Sequence, residues 1–290
     1  MQQRQLGPGG PLVGAIGLGT GPVSIPADRP SVQEVTRLLA RAAELGVTLW
    51  DTADAYCQDE SEAGYGERLC QQGLAALPAD LRERIVIATK GGSIRPGGAW
   101  KQDGSPRHLQ AAIDASLRAL QTDAIDLWQL HAPDDKVPFA DSMGAIAKAR
   151  QQGKIKLVGL SNVSVAQVEE AMRIVPLASI QNRYAFDYRE PEEDGVLEIC
   201  RELGLAFLPY SPLGGQGDAK RLGESGPLAT IAEEVGATPQ QVVLAWMLHK
   251  YAKMIPIPGV SRIETLESSA RAAGVTLSTE HVARLDGALP

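Results

Sequence analysis

The sequence has few cysteines and few aromatic residues, which make up 4% of the chain. Its three cysteines, Cys57, Cys70 and Cys200, lie far apart and are odd in number. They therefore predict neither a disulfide framework nor a zinc cluster. We expect three free thiols and a protein of the reducing cytoplasm. Cys57 lies in a loop that becomes important below, but its thiol is expected to have no role of its own.

The sequence also lacks an excess of positive charge and long apolar segments. Lys and Arg number 28 against 35 Asp and Glu, and no basic stripe is present, so we expect neither nucleic acid nor an anionic membrane as a partner. The longest apolar run, residues 242–248, is far shorter than the ~18 residues that a membrane span needs. Hydrophobic residues still make up 44% of the 290 residues, enough for one large core in a soluble protein.

What the sequence does contain is a repeated alternation of short β-type runs and helical patterns. The β-type runs are short, apolar and bounded by turn residues, as strands are. Eight are predicted as strands, namely residues 13–18, 47–50, 85–89, 125–130, 155–160, 177–180, 205–208 and 254–257.

Helical segments lie between these runs and carry recognisable start and stop signals. The first has its apolar residues on one face from Val32 to Leu45 and is predicted to end at Gly46. Another has Pro106 placed in its first turn, where proline is favoured. Three predicted helix starts carry a Ser followed three residues later by Glu or Gln, namely Ser31 with Glu34, Ser164 with Gln167, and Ser261 with Glu264.

This alternation predicts an α/β fold with a parallel sheet covered by helices. Eight strand–helix units in 290 residues favour a single (β/α)8 TIM barrel over residues 1–290 rather than an open sheet. No Pro/Gly/Ser-rich linker divides the chain. Residues 6–11 are predicted as a turn, with a hairpin closing the bottom of the barrel. Pro256 is unfavourable within the eighth predicted strand.

Polar side chains follow several of the predicted strands directly. In such barrels the chemistry lies at the carboxyl ends of the strands. Asp51, Lys90 and His131 each follow an apolar run, where a charge would be partly buried and would need partners. The other strand ends carry Gly19-Thr20-Gly21, Ser161-Asn162, Gln181, Tyr210-Ser211 and Pro258-Gly259.

The glycine-rich segment 17–21 could suggest a dinucleotide site of the Rossmann type, but it does not have the G-x-G-x-x-G spacing. Pro22, Pro26 and Pro30 follow it, and we expect them to prevent a helix from beginning directly. A Rossmann phosphate site needs that helix N-terminus. We therefore do not expect a Rossmann fold.

Two other chemistries are compatible with side chains at these strand ends. A divalent metal is disfavoured because no H-x-H or H-E-x-x-H spacing exists, and we predict no metal site. Lys90 could alternatively form a Schiff base, as in an aldolase. The side chains that could ligate a divalent metal are those of His131, Asp134, Asp135, Asp51 and Asp54. The other histidines, His108, His249 and His281, fall inside helical patterns.

Eight segments lie in order at the ends of the predicted strands, namely 17–20 (GLGT), 51–56 (DTADAY), 88–92 (ATKGG), 130–131 (LH), 159–162 (GLSN), 181–182 (QN), 209–214 (PYSPLG) and 257–259 (IPG). Together, these segments resemble the aldo-keto reductase family over nearly the whole chain. The resemblance implies a (β/α)8 barrel that reduces a small aldehyde or ketone with NADPH. Residues 159–182 and the tail after Pro258 are also similar to the bacterial pyridoxal-reductase-like branch, which makes pyridoxal one candidate among small carbonyl compounds.

The family's catalytic tetrad falls on Asp51, Tyr56, Lys90 and His131 in this sequence. Carbonyl reduction needs a proton for the developing alkoxide, and a free tyrosine is a weak acid with a pKa of ~10. We expect Lys90 to lower the pKa of Tyr56 and Asp51 to hold Lys90 as its ion-pair partner. Tyr56 would then donate the proton while His131 orients or polarises the carbonyl.

The resemblance also implies an extended NADPH site. Ser161, Asn162 and Gln181 would bind the carboxamide, the ring of Tyr210 would stack on the nicotinamide, and Arg262 would pair with the 2′-phosphate. The segment that follows the eighth strand would meet the adenosine phosphates of the cofactor at the start of the last helix. The remaining cofactor residues are Gly19, Thr20, Ser211, Pro212, Leu213, Ile257, Gly259, Ser261, Thr265 and Ser269.

The sequence departs from the family pattern at one end of this site. Many members have a basic residue where this chain has Thr265, and Glu-Asn where it has Ser268-Ser269. The predicted preference for NADPH therefore depends mainly on Arg262.

Substrate specificity in this fold comes from loops. Pro22, Trp100, Phe186 and the segment after Gly214 are predicted walls of the pocket. Two functions besides carbonyl reduction stay open: a non-catalytic NADP(H)-binding regulatory module, as some family members are, and a Schiff-base lyase using Lys90. The intact tetrad favours reduction. The polar loops offer no dimer patch, so we expect a monomer.

Overall fold

The computed structural model describes residues 1–215, 222 and 226–288. The strands are Gln3–Gln5 (β1), Leu12–Gly14 (β2), Leu18–Gly19 (β3), Leu49–Asp51 (β4), Val86–Gly91 (β5), Ser93–Ile94 (β6), Lys101–Gln102 (β7), Ile125–Leu130 (β8), Ile155–Ser161 (β9), Ser179–Gln181 (β10) and Ala206–Phe207 (β11). The helices are Gly21–Ser24 (α1), Val32–Glu44 (α2), Tyr65–Ala76 (α3), Ala79–Arg82 (α4), Pro106–Leu120 (α5), Phe139–Gln151 (α6), Val165–Ile174 (α7), Glu190–Glu193 (α8), Val196–Leu203 (α9), Pro227–Glu234 (α10), Pro239–Lys250 (α11), Ile263–Arg271 (α12) and Thr279–Gly287 (α13).

Seven parallel strands form one curled sheet in the order β11-β10-β9-β8-β5-β4-β3. Residues 254–259 join its two edges, because Met254 pairs with Phe207 on one side and Gly259 pairs with Gly19 on the other. The amides of Gly17 and Gly19 donate to the carbonyls of residues 256 and 258 at 2.9 and 3.0 Å. The predicted (β/α)8 barrel is therefore confirmed. The eighth barrel segment, residues 254–259, pairs with its neighbours through isolated bridges, because the prolines at 256 and 258 have no N–H to donate.

The prediction of one strand over residues 13–18 is wrong. Residues 12–14 form an antiparallel hairpin with β1, and only β3 belongs to the barrel, where it pairs with β4. Residues 13–18 look like one apolar strand because the side chains of the hairpin strand are buried as well as those of the barrel strand. Leu6 and Val13 are fully buried in the barrel-interior cluster with Leu49 and Leu208. The hairpin predicted around residues 6–11 is thus present and fills the bottom of the barrel.

Most predicted helix signals are confirmed. The capping boxes at Ser31 and Ser164 are both formed, at the starts of α2 and α7, and Gly46 follows α2 with a φ of 78°. Pro106 opens α5. None of the helices within the described residues is long and apolar enough to cross a membrane.

Two predictions about helix starts are wrong. A helix does follow the glycine-rich segment, since α1 begins at Gly21 with Pro22 in its first turn, where an amide hydrogen is not needed. It ends after a single turn. The capping box predicted at Ser261 is not formed because α12 begins one residue later, with Arg262 as its N-cap and no side-chain cap hydrogen bond.

Candidate active site

Lys90 forms the centre of a buried polar group at the carboxyl ends of β4 and β5. Its side chain is fully buried. The Nζ atom donates to Oδ2 of Asp51 at 2.6 Å, to the carbonyl of Thr52 at 2.9 Å and to Oη of Tyr56 at 3.3 Å. Because β4 and β5 are adjacent and parallel, their ends place these groups together. Three acceptors match the three N–H bonds of an ammonium, which is the condition for burying such a charge.

The second carboxylate oxygen of Asp51 is held by two glutamines inside the barrel. Its Oδ1 accepts from Nε2 of Gln181 at 2.8 Å and from Nε2 of Gln129 at 3.4 Å. Gln129 was missed in the sequence analysis. The signal that could have found it is a polar, uncharged residue within the otherwise apolar end of β8. Gln181, predicted to bind the carboxamide, is placed with its amide nitrogen on Asp51.

Tyr56 lies on the loop after β4, between Lys90 and His131. Nζ of Lys90 lies 4.8 Å from the centre of the Tyr56 ring. The rings of Tyr56 and His131 meet edge to face with centroids 5.7 Å apart. A Cβ at Gly66 would lie 3.1 Å from Cβ of Tyr56 and 2.6 Å from Oγ1 of Thr52. Glycine at position 66 therefore allows α3 to pack closely behind the tyrosine.

The pKa of Tyr56 differs from the sequence-based expectation. Burial raises the pKa of Tyr56, and the opposing effect of Lys90 is smaller. For Lys90, burial lowers the pKa, but Asp51 and Tyr56 together raise it above its ordinary value. At neutral pH the lysine is therefore charged and the tyrosine carries its proton. This is the state that a proton donor needs before the reaction.

His131 is held as a neutral imidazole. Burial lowers the pKa of His131 well below its usual value, and the charge of Lys90 lowers it further. Its Nδ1 atom is buried without a hydrogen-bond partner among the described residues. The backbone of His131 is held by Asn162, whose Nδ2 donates to the His131 carbonyl oxygen at 2.9 Å. A neutral ring can donate a hydrogen bond to a carbonyl oxygen without adding a charge to the site.

Ser161, Asn162 and Tyr210 meet beside this group at the ends of neighbouring barrel segments. Asn162 follows β9 with a φ of 58°, a left-handed conformation that asparagine tolerates. Its Oδ1 accepts from Oη of Tyr210 at 2.8 Å, and its Nδ2 also donates to Oγ of Ser161 at 3.1 Å. Ser211 has a φ of 50°, so the chain turns sharply after Tyr210. These residues are brought together as the sequence predicts.

The other predicted cofactor residues lie around the rim. Gly19 and Gly259 pair across the barrel closure, and a Cβ at Gly259 would lie 2.8 Å from Cγ of Pro22. Thr20 is buried, and its Oγ1 donates to the Asp51 carbonyl at 2.9 Å. Of the others, Pro212, Ile257 and Ser269 are buried, Leu213 and Thr265 are half-buried, and Ser261 is exposed.

The start of α12 has the properties of a phosphate site. No side chain caps the first turn of this nine-residue helix, so its amide groups are available to an anion. Arg262 is exposed, and within the described residues its guanidinium has no hydrogen bond or ion pair. The donors present therefore fit a phosphorylated dinucleotide. Ser268 is engaged elsewhere, because its side chain and carbonyl accept from Gln241.

Trp100 and Pro22 border the site, whereas Phe186 does not join them. The Trp100 ring meets His131 edge to face with centroids 5.7 Å apart. Phe186 packs against Trp246 of α11 and is covered by Arg189, contacts that give it a packing role. Of the predicted pocket segment after Gly214, residues 216–221 and 223–225 lie outside the described part of the chain. Within that part, no group of three or more His, Cys, Asp or Glu is arranged to hold a metal.

Asp54 and Glu67 form a second buried acidic group behind Lys90. Oδ1 of Asp54 and Oε2 of Glu67 are buried with no hydrogen-bond partner among the described residues. The other Glu67 oxygen accepts from Oγ1 of Thr89 at 2.6 Å. Burial raises the pKa of Asp54 well above its usual value, and the charge of Glu67 raises it further. Burial likewise raises the pKa of Glu67.

The raised pKa values of Asp54 and Glu67 predict that the free energy of unfolding depends on pH. A carboxyl whose pKa is raised on folding stabilises the native state below the unfolded pKa of ~4, and that stability is lost as the pH rises towards the folded pKa. We therefore expect Asp54→Asn to gain free energy of unfolding relative to the wild type as the pH rises from 4, by up to ~1.4 kcal/mol per pH unit. Urea denaturation between pH 4 and 8 measures this. Asp123→Asn, at an exposed position, is the control, and a pH-independent difference for Asp54→Asn would contradict the assignment.

Known proteins that are similar to this chain are aldo-keto reductases and an oxidoreductase. The model of the aldo/keto reductase family matches residues 15–290. An uncharacterized oxidoreductase of Schizosaccharomyces pombe is 36% identical over 261 residues, which cover 89% of this chain and 80% of that protein. A probable aldo-keto reductase of Glycine max is 31% identical over 285 residues, with the same coverage of 89% and 80%.

Solved structures of aldo-keto reductases share the fold along the whole chain. The thermostable aldo-keto reductase Tm1743, crystallised with the inhibitor epalrestat, superposes with a TM-score of 0.83 at 31% identity and covers 99% of both chains. An aldo-keto reductase from Klebsiella pneumoniae in complex with NADPH superposes with a TM-score of 0.83 at 27% identity, covering 99% of this chain and 94% of that one. By its sequence and its fold, this chain belongs to the aldo/keto reductase family of oxidoreductases.

Proposed function

We propose that this protein reduces a small aldehyde or ketone to an alcohol, with NADPH as the reductant. The observation that carries the proposal is the contact between Nζ of Lys90 and Oη of Tyr56 at 3.3 Å, beside a His131 ring held neutral. A protonated phenol next to a fixed positive charge can give up its proton to a developing alkoxide, because the lysine stabilises the phenolate that remains.

NADPH, held beside Asn162 and Tyr210, would supply the hydride that the carbonyl carbon accepts. Tyr56 transfers its phenolic proton to the carbonyl oxygen, so the C=O group becomes CH–OH and the tyrosine is left as a phenolate. Lys90, anchored by Asp51 at 2.6 Å, stabilises that phenolate until a proton from solvent restores the phenol. His131 donates a hydrogen bond that orients the carbonyl oxygen.

The proposed NADPH site extends from Asn162 and Tyr210 to the start of α12. The uncapped first turn of α12 supports binding of the phosphates, as does the guanidinium of Arg262, which has no partner in the described part of the chain. NADP(H) complexes of family members are in keeping with this choice, since Klebsiella pneumoniae aldo-keto reductase structures contain NADP or NADPH.

Arg262→Ala is expected to remove most of the preference for NADPH over NADH. A charge-assisted contact with the 2′-phosphate contributes ~1.5–3 kcal/mol, so the Kd for NADPH should rise by roughly tenfold or more while the Kd for NADH stays within about twofold of the wild-type value. Titration by tryptophan fluorescence quenching measures both. Arg271→Ala, near the other end of the same helix, is the control. An unchanged ratio of the two constants would show that Arg262 does not read the 2′-phosphate.

The geometry also separates this proposal from the two alternatives. A Schiff base needs a neutral, accessible amine, whereas Lys90 is buried, has a raised pKa and donates to three acceptors. A regulatory module without catalysis would not need the four tetrad side chains in one connected group, which runs from Asp51 through Lys90 and Tyr56 to His131. Consumption of NADPH on addition of an aldehyde panel that includes pyridoxal tests the function, together with the Tyr56 variant argued in the Discussion.

A further inference from the structure

Arg95 is a buried arginine that donates its side-chain hydrogen bonds to backbone carbonyls. It follows β6 in the hairpin that β6 forms with β7, and only 7% of its surface is exposed. Its Nε and Nη2 atoms donate to the carbonyl of Gly98 at 3.0 and 2.7 Å, and Nη2 also donates to the carbonyl of Gln58 at 3.1 Å. Among the described residues, no carboxylate lies within ion-pair distance of it, and its Nη1 atom has no hydrogen-bond partner.

The guanidinium lies against Trp100, which in turn lies against His131. Cζ of Arg95 is 4.4 Å from the centre of the Trp100 ring. Trp100 also meets His131, with ring centroids 5.7 Å apart and planes at 76°. Trp100 is 48% exposed, although it is a large apolar ring at the mouth of the site. A ring held in this position is available to contact a substrate.

An exposed indole on a loop normally samples several side-chain rotamers. The Arg95 guanidinium cannot move with it, because the two carbonyls of Gly98 and Gln58 hold its planar group in a fixed orientation. Stacking on a fixed cation restricts Trp100 to the conformation that faces His131. Arg95 therefore sets the conformation of the Trp100 side chain, which borders the site, without itself reaching the reacting atoms.

We propose that Arg95 determines substrate selectivity, by holding Trp100 as a planar apolar wall that favours aromatic aldehydes over small aliphatic ones. The proposal rests on the proposed carbonyl reduction and names its substrate class. Arg95 acts through Trp100 and is a positioning residue rather than a catalytic one.

The hairpin has other attachments, so removing the Arg95 side chain should not detach it. The amide of Glu60 donates to the Arg95 backbone carbonyl at 3.0 Å, and the Gly97 amide donates to Oε2 of Glu60 at 2.6 Å. Neither contact uses the guanidinium. Arg95→Met is therefore a test of the stack on Trp100, and Arg95→Lys keeps a cation while losing the planar fork of donors.

Acrylamide quenching of tryptophan fluorescence reads the Trp100 position without any need for turnover. The other three tryptophans, Trp50, Trp128 and Trp246, are fully buried, so the quenchable signal comes from Trp100. Arg95→Met is expected to raise the quenching constant about twofold or more, with Arg95→Lys in between and Trp100→Phe as the baseline. An unchanged constant in Arg95→Met would overturn the inference.

Arg29→Met is the matched control for that measurement. Arg29 also stacks on an aromatic ring, that of Tyr65 at 3.7 Å, but does not touch Trp100. Its loss should leave the quenching constant unchanged. An equal increase in both arginine variants would show a general loosening of the fold rather than release of Trp100, and would count against the inference.

Selectivity is tested with benzaldehyde and propanal as substrates. Arg95→Met and Trp100→Ala should each lower kcat/KM for benzaldehyde about tenfold, mainly through KM, and change that for propanal less than twofold. The double variant should lose no more than Trp100→Ala alone, since Arg95 acts through the indole. Equal losses for both substrates, or additive losses, would overturn the proposal.

One further measurement separates failure of this inference from failure of the proposed function. In the presence of NADP+, benzyl alcohol but not propan-1-ol should shield Trp100 of the wild type from acrylamide. If no aldehyde is reduced, the proposed function fails, and shielding still decides whether the wall takes aromatic ligands. Absence of shielding overturns the inference whatever the turnover.

Discussion

Tyr56→Phe is expected to lower kcat for NADPH-dependent aldehyde reduction by about 10²–10⁴-fold, the usual contribution of a general acid. The variant removes only the hydroxyl, so the edge-to-face contact with His131 remains possible. Lys90 keeps its two shorter hydrogen bonds, to Asp51 and to the carbonyl of Thr52. The Kd for NADPH should therefore change by less than about twofold. Steady-state kinetics and fluorescence titration measure the two quantities separately.

Tyr65→Phe is the matched control for this variant. Tyr65 opens α3 and lies under the guanidinium of Arg29, outside the Lys90 group, and its loss of a hydroxyl should leave kcat nearly unchanged. Undiminished turnover in Tyr56→Phe would remove Tyr56 as the proton donor. Loss of NADPH binding together with turnover would instead indicate a structural effect.

Lys90→Met is expected to lower the free energy of unfolding by ~3–5 kcal/mol at neutral pH, because it leaves the buried carboxylate of Asp51 without its cation. Without Lys90 no opposite charge offsets the cost of burying that carboxylate. Turnover should be lost as well, since nothing then stabilises the Tyr56 phenolate. Denaturant unfolding at neutral pH measures the loss of stability.

A double variant and a surface pair complete this experiment. Asp51→Asn combined with Lys90→Met should recover much of the lost stability, because no buried charge remains, while activity stays absent. Lys154→Met breaks an ion pair with Asp114 whose side chains are 30% and 43% exposed, and should cost no more than ~1 kcal/mol. Equal stability of Lys90→Met and the wild type at neutral pH would contradict a charged, buried Asp51–Lys90 pair.

The fold was largely predictable because its signals are local and repeated. Alternating strand and helix patterns indicated the parallel barrel, and the capping residues Ser31 and Ser164 placed two helix starts correctly. The errors arose where one pattern serves two structures. The apolar run at residues 13–18 supplies both a hairpin strand and a barrel strand, and periodicity cannot say with which partner a strand pairs.

The site was predictable in its residue types but not in its electrostatics. A titratable residue after each of several apolar strands singled out Asp51, Lys90 and His131. The pKa of Tyr56 was expected to be lowered by Lys90, yet burial outweighs that attraction. The balance between a charge and the loss of solvent depends on every atom around the phenol, which no spacing of residues expresses.

The sequence by itself determined the barrel, the family and the residue types of the tetrad, since these follow from short-range patterns and short motifs. Only the tertiary structure decided which groups those residues meet. It placed Gln129 on Asp51, Asp54 beside Glu67, and Arg95 behind Trp100. Gln129 and Asp51 are far apart in the chain and meet because the closing of the barrel brings its strand ends together. Asp54 and Glu67, like Arg95 and Trp100, are close in the chain but carry no motif, so only the folded path of the chain between them decides that they meet.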